Sequence, residues 1–231
     1  MSSTKDGITV VVMAFNEAAT LGPTVNELHA ALIALDRPFE IVIVDDGSRD
    51  DSPREAREIA ARFPEVRLVG HQENLGLGSA YRTGFREARQ DLVTFFPADG
   101  QFPASIVGQF ADAIEGHDAV FGTLDNPVGL VGEVLNRAER LFYVALFGAF
   151  PRFQGIVMFR RRILDEVPLR APGGRSWAVL MELILRISRG PYRHRNAATT
   201  LRVRRSGRSK VRNLRTIWAN LRQAVALRRL L

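Results

Sequence analysis

Short apolar runs alternate with amphipathic segments through the first half of the chain. The apolar runs predict five buried strands, at Ile8–Met13, Ile41–Val44, Val66–Val69, Leu92–Phe96 and Ala119–Gly122. Apolar residues at helical spacing predict helices over 19–35, from Ser52 onward, over Gly78–Arg89 and over Pro103–Ile114. Apolar strands that alternate with helices are typical of a mainly parallel sheet covered on both faces. We therefore predict an α/β fold of three layers.

The helix that begins near residue 52 carries a start signal. Ser52 suits the N-cap, Pro53 suits the first turn, and Glu55 occupies the acidic position of a capping box. The pattern predicts that the side chains of Ser52 and Glu55 close the first turn of this helix.

The second half of the chain is less regular. It predicts a helix over Gly132–Gly148, a strand over Gly155–Phe159, a helix over Trp177–Ser188 and extended chain over Tyr192–Val203. A basic loop over 204–210 and an amphipathic helix over 211–231 follow. We predict one domain over residues 1–203 and a C-terminal appendage over residues 204–231.

The charge is divided unevenly along the chain. Residues 1–150 carry 12 Lys and Arg against 22 Asp and Glu, whereas residues 151–231 carry 20 against 3, so a net −10 precedes a net +17. A basic tail indicates an anionic partner, either a membrane, a nucleic acid or a phosphorylated substrate. We expect no nucleic acid, because the tail has few aromatic residues on which bases could stack.

Several classes of protein are disfavoured by what the sequence lacks. The absence of cysteine excludes disulfides, thiolate nucleophiles and cysteine zinc sites. The longest uncharged apolar stretch, Leu141–Pro151, has 11 residues, whereas a membrane-spanning helix needs roughly 20. The N-terminal residues lack the pattern of a secretory signal, so we expect a cytoplasmic location. Motifs of P-loop enzymes, dinucleotide dehydrogenases, zinc hydrolases and serine hydrolases are missing.

Polar residues follow four of the predicted strands at the point where each ends. They are Asn16-Glu17, Asp45-Asp46, Asn74 and Asp99. A turn would explain any one of these alone. Because parallel sheets bind ligands at the carboxyl ends of their strands, the four together predict a binding site.

Five motifs occur in a characteristic order. They are Ala14-Phe15-Asn16-Glu17, Val44-Asp45-Asp46-Gly47-Ser48, Asn74-x-Gly76-x-Gly78-x-Ala80-x-x-x-Gly84, Ala98-Asp99-Gly100-Gln101 and Arg204-x-x-Gly207-x-Ser209-Lys210. Their order and spacing resemble those of family 2 glycosyltransferases of the GT-A fold, and most of all the dolichol- and polyprenyl-phosphate sugar synthases. The resemblance is close over residues 8–122 and looser over 150–210. It implies a Rossmann-like three-layer sandwich and the inverting transfer of a hexose from a GDP- or UDP-linked sugar.

The resemblance implies a donor site in the first half of the chain. The residues that would bind the donor there are Ala14, Phe15, Glu17, Asp45, Asp46, Asn74, Gly78 and Ala98. Carboxylates suit the base and ribose because they accept hydrogen bonds from ring N–H groups and hydroxyls. The glycine-spaced segment from Asn74 onward would let its backbone approach the nucleotide.

A metal site is implied at the end of the fourth strand. Asp99, followed by Gln101, would bind Mg²⁺ or Mn²⁺ and so neutralise the departing nucleoside diphosphate. The sequence departs from the family here, since Pro97 stands where a second aspartate is usual. Pro151 also replaces a frequent aspartate. The family's arginines after the fifth strand are missing, and Arg137 and Arg140 are the nearest substitutes, with a predicted role in substrate binding for Arg137.

The acceptor is implied by the basic tail. A phosphomonoester has a second pKa near about 6, so it is already an anionic nucleophile at neutral pH and needs cations rather than a general base. Arg204, Arg208, Ser209 and Lys210 would hold these phosphates, and Arg204 and Lys210 join Asp99 as the predicted catalytic residues. The expected acceptor is polyprenyl phosphate, a lipid of dolichyl or undecaprenyl type.

The last helix bears an apolar stripe of Val211, Leu214, Ile217, Trp218, Leu221 and Val225 beside many arginines. Either this stripe packs on the domain or another subunit, or the helix lies on an anionic membrane surface, which would make the protein peripheral to the inner face of the membrane. A membrane-anchored partner and a homo-oligomer both stay open. Two other functions also stay open, namely transfer to a glycan or small-molecule hydroxyl and a degenerate relative that only binds nucleotide or membrane.

Overall fold

The structure is a computed structural model that describes residues 5–124, 137, 141–148, 150–174, 176–202 and 222–231. The strands are β1 (Ile8–Ala14), β2 (Phe39–Asp45), β3 (Val66–Gly70), β4 (Leu92–Pro97), β5 (Ala119–Leu124), β6 (Val157–Arg160) and β7 (His194–Thr199). The helices are α1 (Ala18–Ala34), α2 (Ser52–Arg62), α3 (Leu77–Glu87), α4 (Ser105–Ala113), α5 (141–147), α6 (Arg162–Glu166), α7 (Ala178–Arg189) and α8 (222–228).

The strands form one sheet in the order β3-β2-β1-β4-β6-β5-β7. β6 runs antiparallel to both of its neighbours, and every other pair is parallel, which confirms the predicted mainly parallel sheet. In the ladders of β1, Ala14 lies opposite Asp45 of β2, and Met13 lies opposite Pro97 of β4. The carboxyl ends of these three strands therefore lie side by side.

Helices cover both faces of the sheet, as the apolar runs predicted. Val10 and Val12 of β1 pack in a core with α1, α2 and α4. Val11 and Met13, which point to the opposite face, pack in a second core with α3, α5 and α7. β1 is thus buried on both sides, and this explains why its sequence is a continuous apolar run.

The predicted capping box of α2 is wrong. Asp51 is the N-cap residue and makes no side-chain capping bond, while Ser52 is already inside the helix. Ser52 Oγ instead accepts a hydrogen bond from Glu17 N at 2.9 Å. Glu55 lies against Gly22 of α1, where a Cβ would stand 2.3 Å from Glu55 Oε1. Both side chains that the local pattern assigned to the cap of α2 therefore contact residues distant in sequence instead.

The C-terminal helix is also placed differently from its predicted stripe. Ala224 and Leu227 of α8 are fully buried in the core with α7, whereas Val225 is 44% exposed. Arg228 Nη1 donates to Leu146 O of α5 at 2.7 Å. This end of the predicted helix therefore packs on the domain, and the remaining stripe residues, Val211–Leu221, lie outside the described part of the chain.

The helix α6 was not predicted from the sequence. It has only five residues, too few for an apolar period of 3.6 to show. Its Ile163 is fully buried in the core on the α7 side.

Candidate functional site

The loop after β1 is held against the loop after β2 by side chains of the second loop. Asn16 N donates to Ser48 Oγ at 2.9 Å, and Arg49 N donates to Asn16 Oδ1 at 2.8 Å. Asn16 has a φ of 53°, a left-handed conformation that asparagine tolerates better than most residues. The predicted loop Ala14–Glu17 is thus held by hydrogen bonds to the loop that follows Asp45.

Asp50 connects the first turns of α1 and α2. Its Oδ2 accepts a hydrogen bond from Ala18 N at 3.1 Å, and its Oδ1 accepts one from Ser52 N at 3.0 Å. Partial burial raises the pKa of Asp50, but the hydrogen bonds from Ser52 and Ala18 lower it further, so the pKa lies below its ordinary value of 3.8. The ionised carboxylate therefore favours the folded loops.

The variant Asp50→Asn should make the stability of the protein less sensitive to acid. The folded pKa is below the unfolded one, so Asp50 stabilises the fold above about pH 4 and this contribution is lost as the pH falls through the folded pKa. Urea unfolding at a series of pH values between about 6 and 3 measures the effect. An equal loss of stability in the variant and the wild type would contradict this role of Asp50.

Asp46 is almost fully buried and organises the segment that follows β3. Its Oδ1 accepts a hydrogen bond from Leu75 N at 3.0 Å and lies 2.7 Å from His71 Nδ1. Its Oδ2 accepts bonds from Gly76 N at 2.8 Å and from Asn74 Nδ2 at 3.0 Å. Asp46 and Asn74 were both predicted to contact the donor. In the structure their polar atoms bind one another and the backbone, so Asp46 positions the loop.

His71 joins this network to α3. Its Nε2 lies 2.9 Å from Thr83 Oγ1, while its Nδ1 faces Asp46. Sequence reasoning missed His71, although the rule that selected Asn74, a polar residue directly after a strand, applies equally to His71. Ser48 stood in the second motif without an assigned role, and Thr83 was missed because only the tertiary contacts give a signal for it.

Asp45 contrasts with its neighbour in sequence. The residue is only 5% exposed, and its Oδ1 is buried with no hydrogen-bond partner among the described residues. A buried carboxylate oxygen without a donor costs free energy, roughly 1–3 kcal/mol or more. Asp45 lines a cavity of about 270 Å³ at the carboxyl edge of β2 and β3. Of Asp45 and Asp46, Asp45 is therefore the residue with an oxygen left to accept a hydrogen bond from a ligand.

That cavity lies between the ends of two strands and the first turns of α2. The residues that line it are Asp45, Gly47, Ser48, Pro53, Arg57, Leu68, Gly70, His71 and Gln72. Gly47 has a φ of 68°, and a Cβ there would stand 2.2 Å from the carbonyl carbon of Glu73. The loop after β2 can pass this close to the following segment only with glycine at position 47.

Gly78, predicted to lie beside the nucleotide, packs closely against backbone that is distant in sequence. A Cβ on Gly78 would stand 3.0 Å from Ser176 O, and Gly78 N donates to Gly174 O at 2.7 Å. The glycine thus allows a close contact between α3 and the backbone of Gly174 and Ser176. Ala98 is likewise buried, and its N–H donates to Met13 O at 3.0 Å, so it extends the β1–β4 ladder.

Asp99 and Gln101 lie in the turn after β4. Asp99 Oδ1 accepts a hydrogen bond from Gln101 N at 3.1 Å, and Gly100 between them has a φ of 70°. Within the described residues, no three His, Cys, Asp or Glu side chains stand close enough to hold a metal ion. Mg²⁺ commonly binds through one or two carboxylates together with substrate phosphates. One carboxylate and one amide oxygen therefore fit an ion that the diphosphate helps to hold, and Pro97 adds no ligand.

The other predicted site residues are placed as follows. Ala14 is buried and its carbonyl accepts from Asp46 N at 2.9 Å, while Phe15 is half-buried. Glu17 Oε2 accepts a hydrogen bond from Thr20 Oγ1 at 3.2 Å. Arg137 is helical and exposed. The remaining predictions, Arg204, Arg208, Ser209 and Lys210, lie outside the described residues.

Solved structures with the same fold include glucosyl-3-phosphoglycerate synthase from Mycobacterium tuberculosis, in complex with Mn²⁺, UDP and glucosyl-3-phosphoglycerate. The match has a TM-score of 0.70 at 24% identity and covers 96% of this chain and 78% of the synthase. At this identity the likeness shows the GT-A fold and no more, and it confirms the predicted architecture.

Similar curated proteins include two transferases whose names contain a lipid phosphate. The dolichol-phosphate mannosyltransferase of Pyrococcus furiosus is 26% identical over 232 residues, which cover 95% of this chain and 63% of that protein. An undecaprenyl-phosphate 4-deoxy-4-formamido-L-arabinose transferase of Pseudomonas paraeruginosa is 37% identical over 123 residues. That match covers 52% of this chain and 36% of the transferase, so the chain spans less than two thirds of either relative.

The family model called glycosyl transferase family 2 matches residues 9–168, which include the strands and loops that carry Asp45, Asp46 and Asp99. The match extends over more than half of the chain, and it agrees with the order of motifs, the sheet topology and the similar transferases. On these grounds the chain belongs to glycosyl transferase family 2.

Proposed function

We propose that this chain transfers a hexose from a nucleoside diphosphate sugar to polyprenyl phosphate, with inversion at the anomeric carbon. The observation that carries the proposal is the free Oδ1 atom of Asp45, which is buried beside a cavity where a nucleobase can donate to it. Asp99 follows β4, and only β1 separates β4 from β2, so the two strand ends lie about 10 Å apart. This arrangement suits a base at Asp45 and a diphosphate near Asp99.

The choice of acceptor is supported by the similar proteins and by the chemistry of the chain. The relatives from Pyrococcus furiosus and Pseudomonas paraeruginosa are both named for lipid phosphate substrates. The C-terminal 81 residues carry 20 cations and 3 acids, which suits the binding of a phosphate. These features favour polyprenyl phosphate over a sugar hydroxyl.

The reaction requires little acid–base chemistry from the protein. An oxygen of the lipid phosphate attacks the anomeric carbon, the bond from that carbon to the diphosphate breaks, and the nucleoside diphosphate leaves with its electron pair. The phosphate is already an anion at neutral pH, so no residue has to remove a proton. Mg²⁺ or Mn²⁺ held by Asp99 and Gln101 would neutralise the leaving diphosphate. Arg204 and Lys210 are proposed to hold the phosphates, and Arg137 and Arg208 to assist them.

Calorimetric titration with UDP and with GDP, each with and without Mn²⁺, tests the donor site. We expect one nucleotide to bind, more tightly with Mn²⁺ than without it. Asp99→Ala should abolish the effect of Mn²⁺, and Pro97→Asp should strengthen it about tenfold because a second carboxylate then faces the ion. Transfer of labelled sugar to undecaprenyl phosphate, with a glycan acceptor as the comparison, tests the reaction itself. Failure of both nucleotides to bind would contradict the proposal.

We also propose that the protein works at a membrane surface and so is peripheral to the inner face of the membrane. No helix in the described ranges has the length and apolarity to span a bilayer. Two neighbouring helices on one face of the sheet expose apolar side chains, Leu141 and Val144 on α5 and Val225 on α8. Arg189 and Arg228 border the groove where these helices end. Apolar side chains among cations suit an anionic lipid surface.

The double variant Leu141→Asp, Val225→Asp should lose binding to anionic vesicles. Both side chains are well exposed, at 69% and 44%, so the substitutions should leave the fold intact. Ile33→Asp is the matched control, because Ile33 is 58% exposed on α1, at the opposite face of the sheet. Sedimentation with vesicles that contain phosphatidylglycerol measures binding. Equal sedimentation of the double variant and the control would contradict the proposed membrane face.

A further inference from the structure

A cationic side chain borders the cavity that Asp45 faces. Arg57 lies on α2, one helical turn after Pro53, and both residues line the cavity. Side chains four apart on a helix lie on the same face, so the guanidinium of Arg57 extends along the side of α2 that meets the ends of β2 and β3. Pro53 and Leu68 give the same cavity apolar surface.

Arg57 differs from the other arginine near the start of α2. Arg54 pairs with Glu58 at 2.8 Å and with Asp51 at 3.6 Å, and it points away from the cavity lining. Arg57 has no carboxylate or hydrogen-bond partner among the residues that the structure describes. Its donors are therefore available to a ligand, and the Oδ1 atom of Asp45, buried at the lining of the same cavity, likewise has no partner among the described residues.

We propose that Arg57 is a specificity-determining residue that, with Asp45, selects a base with a lactam edge, uracil or guanine, against cytosine and adenine. This inference rests on the proposed binding of a nucleoside diphosphate sugar. It goes further in assigning the choice of base to a carboxylate on β2 and a guanidinium on α2.

The selection follows from the order of donors and acceptors on the bases. Uracil and guanine each present a ring N–H next to a carbonyl oxygen. The carboxylate of Asp45 can only accept, so it takes the ring N–H, and Arg57 can only donate, so it takes the oxygen. Cytosine and adenine present the reverse order, an acceptor nitrogen beside an amino group. Either base would place like groups against both side chains and leave the polar groups of Asp45 and Arg57 unpaired, which disfavours its binding.

Binding of UDP, GDP, CDP and ADP to the wild type, Arg57→Ala and Arg54→Ala tests the inference by calorimetry in the presence of Mn²⁺. We expect the wild type to bind UDP or GDP at least about 100-fold more tightly than CDP and ADP. Arg57→Ala should weaken binding of the preferred nucleotide about 10- to 100-fold and change that of CDP and ADP little, so the preference shrinks. Arg54→Ala, the matched control on the same helix, should behave as the wild type does.

The outcomes separate this inference from the proposed function. If Arg57→Ala weakens all four nucleotides equally, Arg57 acts as a general attraction for phosphate and the inference is overturned while nucleotide binding stands. If Arg57→Ala binds as the wild type does, the inference is overturned in the same way. If the wild type binds none of the four, the proposed function fails first and the inference fails with it.

Discussion

Replacing Asp46 with alanine is expected to lower the free energy of unfolding by about 3 kcal/mol, because the change leaves several buried donors without an acceptor. The carboxylate accepts from the backbone N–H groups of Leu75 and Gly76 and from Asn74 Nδ2, and it lies against His71. Urea unfolding monitored by circular dichroism measures the loss.

The adjacent aspartate provides the control for this stability measurement. Asp45→Ala removes a carboxylate that is equally buried but has no donor to its Oδ1 atom. We expect the free energy of unfolding of Asp45→Ala to stay within about 1 kcal/mol of the wild type or to exceed it, since an unsatisfied buried charge disappears. If Asp45→Ala destabilised the protein as much as Asp46→Ala, the division of roles between the two residues would be wrong.

The second large effect is the loss of nucleotide binding in Asp45→Ala. The base would lose the proposed hydrogen bond to the carboxylate at the lining of the cavity, and a hydrogen bond to a charged group contributes about 1.5–3 kcal/mol. We therefore expect the dissociation constant of the preferred nucleotide to rise about 10- to 100-fold. Calorimetric titration measures the change.

If Asp45 binds the base, the variant Asp45→Ala should be stable but should bind the nucleotide weakly. Glu65→Ala is a suitable control, since Glu65 lies before β3, at the edge of the sheet opposite the cavity, and pairs there with His29. An unchanged affinity of Asp45→Ala would remove Asp45 from the site. Binding sites commonly hold such groups, which destabilise the free protein and acquire their partner only from the ligand.

The two aspartates show where sequence reasoning stops. In the motif Val44-Asp45-Asp46-Gly47 they are neighbours of identical chemistry, and the resemblance implied that both of them bind the nucleotide. Asp46 lies past the last residue of β2 and turns toward the segment after β3, where backbone N–H groups converge on it. Only the path of the segment after β3 distinguishes Asp46, which holds the loop, from Asp45, whose Oδ1 atom has no partner among the described residues.

Glycine 78 and Ser52 show the same limit. Glycine spacing after β3 correctly indicated a close approach, and the approach that the structure shows is to the backbone of Gly174 and Ser176. Ser52 and Glu55 fit the sequence pattern of a local cap. In the structure, however, Glu17, directly before α1, contacts Ser52, and Gly22 of α1 lies against Glu55. Both errors arise because contacts distant in sequence compete with local patterns for the same atoms.

The sequence by itself determined most of the strands, their mainly parallel direction and the edge at which polar residues gather. Burial on both faces forces a strand such as β1 to be apolar throughout, and this requirement is visible in the chain without any structure. The sequence also determined the family, because five short motifs kept their order. The tertiary structure alone decided which polar atoms remain free, since a hydrogen bond depends on which distant groups the fold brings within about 3 Å. By this criterion Asp45 Oδ1 and the Arg57 guanidinium lack a partner among the described residues, whereas Asp46, Asn74 and Gly78 hold the loops in place.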